Sequence, residues 1–433
     1  MFSDLGELFR LVNLVLLKGG WILVLWALVY MFYKLYIDYI QMDWYHKQEW
    51  VFLRIVAPKE NEKSPLAFEQ IFNQLHAVHS TYEPGEIYFE GRIDMWFTWE
   101  IVSIGGSINN FVKIQKKHRD TLESAIYAQF PDAEISEAED YFQKLPPHYT
   151  DLEGFDIYAF SLIMPKDNAY PFRTYMDFEH STAETFIDPV TGIWEELTKL
   201  SPYEMFIIQY IFRPWSEDWK KKGYKLVEDL KGVPKKHGKN WFLEVLGALI
   251  GPFLDIIIRP TPAVGGARKQ TVREEPPSLM LHLTEGEKDV ISAVENKLSK
   301  LSYKVKIRCM YIAPKEKYNP GPVYSPIIGA FKSLRGSDVN SLKPDTKRWT
   351  KPHWWLFREW EKPIVNLRNN FRKAKFWSSM RRRFFFHGAP SFYLCTEEIA
   401  TILHFPQSEV TVPRIERVDV TKVQPPPELP IVV

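Results

Sequence analysis

Residues 50–79 read WVFLRIVAPKENEKSPLAFEQIFNQLHAVH. The first nine alternate and are rich in β-formers, which predicts a strand. Ser64-Pro65 then opens a helix with proline in its first turn, where a missing N–H costs nothing. Outward from this corner, Glu86–Phe89, MWFTWEIVSIGG (95–106) and INNFVKIQ (108–115) read as strands. KKHRDTLESAIYAQF (116–130) reads as a helix ending before Pro131, and DAEISEAED (132–140) as a last strand or edge. The order β-α-β-β-α-β over residues 44–146 is that of a ferredoxin-like sandwich, an α+β fold with helices on one face of an antiparallel sheet.

A second α+β unit is expected over 150–232. It holds strands in GFDIYAFSLIMP (154–165) and EMFIIQYIFRPW (204–215), a short helix in GIWEELTKLSP (192–202), and a helix in 217–232 interrupted by Gly223. A third is expected over 277–410. LMLHLT (279–284), YKVKIRCMYIAP (303–314) and the start of FYLCTEEIATILHFP (392–406) read as strands. Thr284 and Glu287 form a capping box, PIIGAFKSL (326–334) is a helix, and Thr396 caps another that Pro406 stops. IVAPKENEKSP (55–65) resembles YIAPKEKYNP (311–320), one strand-to-helix corner used twice, which suggests duplicated α+β units.

Before the first unit, Leu11–Tyr33 reads LVNLVLLKGGWILVLWALVYMFY, with Lys18 its only charge. As a helix it would be about 34 Å long, against a hydrocarbon core of about 30 Å. A cleaved signal peptide does not fit, because Asp4 and Glu7 lie in the start and no Ala-x-Ala pattern follows. A buried core helix is the alternative, but Trp21, Trp26, Tyr30, Phe32 and Tyr33 leave little polar surface on any face. The expectation is therefore an N-terminal transmembrane anchor (1–43), with Gly19-Gly20 loosening the helix beside Lys18. Two cysteines, Cys309 and Cys395, and no Asn-x-Ser/Thr sequon point to a cell-membrane protein with a cytoplasmic body.

Net charge is +1 over 433 residues, and 45% of them are hydrophobic, which excludes wholesale disorder. The charge is unevenly placed. Lys343–His387 holds thirteen Lys/Arg and three Asp/Glu, leaving −9 on the rest. Basic residues there alternate with tryptophan and phenylalanine, a composition suited to nucleic acid or to anionic lipid. The segment also reads as an insertion (343–387) whose aromatics pack on its own domain. The expected polyanion contacts are Arg381, Arg382, Arg383, Arg372, Lys373, Lys375 and Trp377. Residues 233–276 form a basic and apolar linker. Within it WFLEVLGALIGPFLDIII (241–258) reads either as a membrane-surface helix or as a core helix. Residues 411–433 are a Pro-rich tail.

No motif carries a reaction. His76 and His79 have no third metal ligand at a recognisable spacing. The cysteines lack a nearby base, and Lys239-Asn240 does not complete a phosphate loop. No catalytic residue, cofactor or metal is expected, and the chain reads as a non-enzyme.

VAPKENEKSPLAFEQIFNQLHAVHS, RDTLESAIYAQFPDAEI, LTEGEKDVISAVENKLSKLSYKVKIR and FYLCTEEIATILHFP resemble an uncharacterised bacterial family with an N-terminal membrane helix and an α+β body. In many members the body stands before, or is encoded beside, an ATPase similar to conjugation and type IV secretion motors. The resemblance implies a membrane-anchored scaffold or adaptor for a separate DNA-translocating ATPase. The alternative, from composition, is a membrane-bound polyanion-binding protein acting through 343–387.

Overall fold

Alternation builds the sheet. In Trp50–Pro58 (β1), Leu53 and Ile55 are fully buried and share one face. β2 (Phe97–Ile104) and β3 (Ser107–Gln115) turn through Gly105-Gly106, both at positive φ, a conformation glycine adopts without steric cost. β4 (Glu134–Glu137) pairs with the other edge of β1. β5 (Phe155–Ile163), β6 (Met205–Pro214), β7 (Ser302–Pro314), β8 (Lys343–Pro344) and β9 (Phe392–Cys395) complete nine antiparallel strands. Arg417–Val418 (β10) adds a two-residue parallel bridge at the end of β1. This computed structural model describes residues 16–58, 61, 63–179, 188, 190–231, 283–336, 339–353, 358–406 and 417–418.

The strands form a single sheet rather than separate sandwiches. Its order is β1-β3-β2-β6-β7-β5-β8, with β4 on β1 and β9 sharing the far edge of β7 with β5. The first half runs β1, helix α2 (Leu66–Leu75), β2, β3, helix α3 (Arg119–Gln129), β4. The second half runs β5, helix α4 (Thr191–Thr198), β6, β7, helix α7 (Gly321–Ser333), β8. The two halves thus repeat one element order. They meet where β2 lies antiparallel to β6, from Phe97 opposite Phe212 to Ile104 opposite Met205. The expected second and third units therefore merge into one half-sheet.

Between β6 and β7 the chain departs into a second compact unit, Glu217–Ser299, distinct from Met1–Ser216 with Lys300–Val433. It contains α5 (Lys220–Leu230) and α6 (Glu285–Ser299). α5 runs through Gly223 without interruption. A Cβ there would lie 2.5 Å from Leu298 Cδ2, so this glycine permits close packing of the two helices rather than breaking one. The capping box at Thr284 and Glu287 is present. Residues 241–258, the strand expected at 279–284 up to 282, and the tail apart from 417–418 lie outside the described residues.

Helices cover both faces of the sheet. On one, Phe68, Ile71 and Phe72 of α2 follow helical spacing and join Leu122 and Ile126, Trp194, Phe331, and Ile399 of α9 (Thr396–Ile402) in the main core. Each such buried side chain contributes roughly 1.5–3 kcal/mol. On the other face lies helix α8, Arg358–Arg382. Its Phe376, Trp377 and Met380 pack on Ile157, Ile207 and Met310. Two local readings are corrected. Glu86–Phe89 is not a strand, because Pro84 starts a helical turn to Tyr88 in which Glu83 and Glu86 form a capping box. The cap of α9 is Cys395, whose N–H donates to Glu398 Oε2 at 3.0 Å, rather than Thr396.

The N-terminal expectation changes most. Helix α1 spans Trp21–His46, and just before it Lys18 and Gly19 leave helical geometry, Gly19 at φ +97°. A continuous helix over Leu11–Tyr33 is therefore broken at Gly19, and residues 11–15 lie outside the described residues. Among the described residues no helix is long and apolar enough to cross a membrane. Lys34, Asp38 and Asp43 and many tyrosines dilute the apolar run as it continues.

The C-terminal end of α1 is fixed to the sheet. Tyr45 stacks on Trp96 at 5.3 Å between centroids and meets Phe384 edge-on at 5.6 Å. Gly91, at φ +69°, approaches the α1 backbone so closely that a Cβ would lie 2.4 Å from the Ile40 carbonyl oxygen. Gly91→Ala should therefore lower the unfolding free energy by about 1–3 kcal/mol in chemical denaturation. Gly85→Ala, with open space around it, should change it by less than about 1 kcal/mol.

Candidate functional site

The register sets one row of side chains across the α8 face. Phe111, Glu100, Gln209, Arg308 and Ser161 lie opposite one another on β3, β2, β6, β7 and β5. Four of the five are polar, and all are buried. Such groups are tolerated only when hydrogen-bonded or paired. Glu100 accepts from Tyr141 Oη at 2.9 Å and from Gln209 Nε2 at 2.8 Å. Arg308 donates to Gln209 Oε1 and to the carbonyls of Ser379, Phe384 and His387.

Arg383 closes this network from above. Its Nε and Nη2 donate to the two oxygens of Glu100 at 2.7 and 2.9 Å, and Nη2 also donates to Asp140 Oδ1 at 2.9 Å. It takes φ +53°, a left-handed geometry that normally favours glycine at a helix end. Burial opposes the Asp140 charge. Hydrogen bonds and attraction from Arg383 nevertheless hold that carboxyl below its ordinary value.

This network decides where the expected polyanion contacts stand. Arg383 is 1% exposed. Arg381 donates to the carbonyls of Phe142, Leu145 and Pro146. Lys373 is buried against Asp156, with Oδ2 at 2.7 Å. Trp377 is in the core. These four side chains are committed inside the fold. Arg382 and Lys375 face solvent, and Arg372 is half-buried.

Two features flank α8. At one hundred degrees per residue, Trp360, Ile364, Leu367 and Phe371 fall on one stripe, and Arg368, Arg372 and Lys375 on a second beside it. The apolar stripe is exposed at 69–87%. Its Ile364, Leu367 and Phe371 also line an open groove of about 960 Å³ against Tyr149, Leu152 and Phe155. The basic stripe lines a cavity of about 330 Å³ with Arg308, Lys347 and Arg348. The field there is positive. Burial, then Arg308 and Arg348, pushes Lys306 down to about 7. Burial, then Arg308 and Lys375, lowers His387.

The remaining candidates are structural. His79 Nδ1 lies 3.5 Å from Asp94, which also faces Arg213 at 3.8 Å. Among the described residues no group of three or more His, Cys, Asp or Glu is placed to hold a metal. Both thiols are buried, and burial pushes Cys309 up. On α1, Trp21, Trp26, Tyr30 and Tyr33 are all exposed.

Fold and site together define an α+β protein built on one large, nearly all-antiparallel sheet, with an amphipathic basic helix on its second face. Residues 40–321 match the family described as a domain of unknown function, DUF8128, and the chain belongs to that family. No curated protein matches it.

Replacing Arg383 by Leu leaves Glu100 buried and unpaired by its principal cation. Unfolding free energy should fall by about 3–5 kcal/mol, whereas the exposed Arg382→Leu should stay within about 0.5 kcal/mol. Because the folded pKa of Asp140 lies below its unfolded value of about 3.9, its contribution is present above that pH. The contribution is lost as pH falls through the folded value. Arg383→Leu should flatten that part of the stability–pH curve measured by denaturation.

Proposed function

We propose that this protein is a non-enzymatic adaptor held at a cell membrane by α1, with α8 lying on an anionic lipid surface. The observation that carries the reading is the exposed stripe Trp360, Ile364, Leu367 and Phe371 beside Arg368, Arg372 and Lys375. A helix in a membrane interface buries such an apolar face and presents Lys and Arg to anionic headgroups. α1 supports it, because Trp26, Leu28, Val29, Phe32 and Leu35 expose apolar surface. The nucleic-acid alternative draws on the same charge, but it leaves the apolar stripe without a partner. The repeated halves support reading each as a ferredoxin-like unit. The partner that the family resemblance implies is a DNA-translocating motor ATPase.

Flotation of the intact protein with vesicles tests the lipid contact. Binding should require anionic lipid and weaken as salt rises. Trp360→Ser with Leu367→Ser should reduce partitioning at least about tenfold, since each removes roughly 1.5–3 kcal/mol of apolar burial. Unchanged partitioning removes α8 from the interface. A shift in solution mass with lipid binding intact would instead make the stripe a contact between copies. For the adaptor role, detergent extraction that keeps α1 intact should bring down a motor ATPase, and consistent recovery without one counts against it.

A further inference from the structure

We propose that the cavity beneath α8 is a binding site for a small ligand carrying clustered phosphate groups. It lies between the sheet row and the helix, with Arg308 and Ser161 contributed by β7 and β5 and Arg368, Arg372, Lys375 and Ser379 by α8. Six of the twelve lining residues are cationic and none is acidic. Asp345, at its margin, is already engaged by Arg348 at 2.7 Å. Lys347 and Lys375 have no ion-pair partner among the described residues, so two ammonium groups face the opening uncompensated. Among the described residues Arg368 and Arg372 each make one bond to a carbonyl, His353 and Trp349 respectively, and keep further donors free.

A second observation points into the same cavity. Ser379 lines it and is 4% exposed, yet its hydroxyl has no hydrogen-bond partner among the described residues. A buried unpartnered hydroxyl is costly. A phosphate oxygen held by the surrounding cations would supply the missing acceptor. The volume of about 330 Å³ sits at the lower end of the usual range for small-ligand sites. Guanidinium groups bind phosphate through paired donors, and several around one space favour more than one phosphate.

The apolar groove on the other flank of α8 shares Arg368 and Phe371 with this cavity. A phospholipid headgroup therefore has the same chemistry available to it as a free polyphosphate. The headgroup source rests on the membrane reading above, whereas the soluble source does not.

Titration of the full-length protein with inorganic tripolyphosphate tests the site, followed by vesicles of neutral lipid with or without a phosphatidylinositol bisphosphate. Arg372→Gln with Lys375→Gln should weaken tripolyphosphate binding at least tenfold and reduce the log–log salt slope. Lys347→Gln with Lys375→Gln alters only exposed side chains and should weaken it at least threefold while keeping the fold. Ser379→Ala should weaken binding two- to tenfold with thermal stability unchanged, since no protein hydrogen bond is lost. The same losses on bisphosphate vesicles alone, with no soluble binding, assign the site to a headgroup. Absence of binding to both probes, or affinities unchanged in all three variants, overturns the proposal. Adsorption of the unsubstituted protein to singly charged anionic vesicles, without binding to either probe, would show that the stripe on α8 stands while the cavity fails.

Discussion

A guanidinium carried out of water needs anions placed to meet it, and the Arg383 pairing with Glu100 and Asp140 is the constraint around which the α8 face is arranged. Glu100 stands on β2, Asp140 follows β4, and Arg383 ends α8, so one ion cluster ties three separate parts of the chain. Buried pairs are often no more stabilising than apolar substitutes, but removing one partner of such a pair is strongly destabilising. Here they fix the end of α8 in position and rotation. Gln209 carries the link to Arg308 on β7, and Arg308 in turn holds the carbonyls of Ser379, Phe384 and His387. The C-terminal turn of α8 and the loop after it are thereby fastened to the sheet by side chains rather than by backbone pairing.

That fastening separates α8 into two portions with different tasks. From Lys373 onward Lys373, Phe376, Trp377, Ser379 and Met380 are buried against the body, with Lys375 and Arg382 left outside. Before that point only Val365 is buried among its large apolar residues, and Trp360, Ile364, Leu367 and Phe371 are left to solvent. The helix is held at one end and available at the other. Such an arrangement suits a surface that must meet a partner without disturbing the body that carries it.

The sequence was most legible where one side chain answers to one local rule. β1, β2, β3, β5, β6 and β7 follow alternation or apolar runs, and α2, α3 and α6 follow helical spacing and caps. The single sheet was not legible, because the β2–β6 pairing depends on residues more than a hundred positions apart and on no local signal. Glu86–Phe89 misleads because its apolar alternation competes with Pro84 and a capping box. Composition marks the basic segment as a candidate polyanion site, but it does not separate Arg372, Lys375 and Arg382 from the side chains drawn into the fold. Charge density makes Arg381–Arg383 the densest cluster, yet Glu100 and Asp140 draw Arg383 inward and the carbonyls of 142–146 take Arg381. Arg308 and Ser379, which face the cavity, give no sequence sign at all. Arg308 looks like one of the polar positions of an alternating strand.

The seam between β2 and β6 has an implication for ancestry. Each half carries the same run of strands and helices, and each would bare the edge of a long apolar strand if it stood by itself. Unpaired edges of that kind invite association. A self-pairing precursor of half the size would have satisfied both edges at once, and joining two copies end to end would have made the pairing permanent. After such a joining each copy could diverge: the helical insert lies between β6 and β7 of the second half, while α1 meets Trp96 beside β2 of the first.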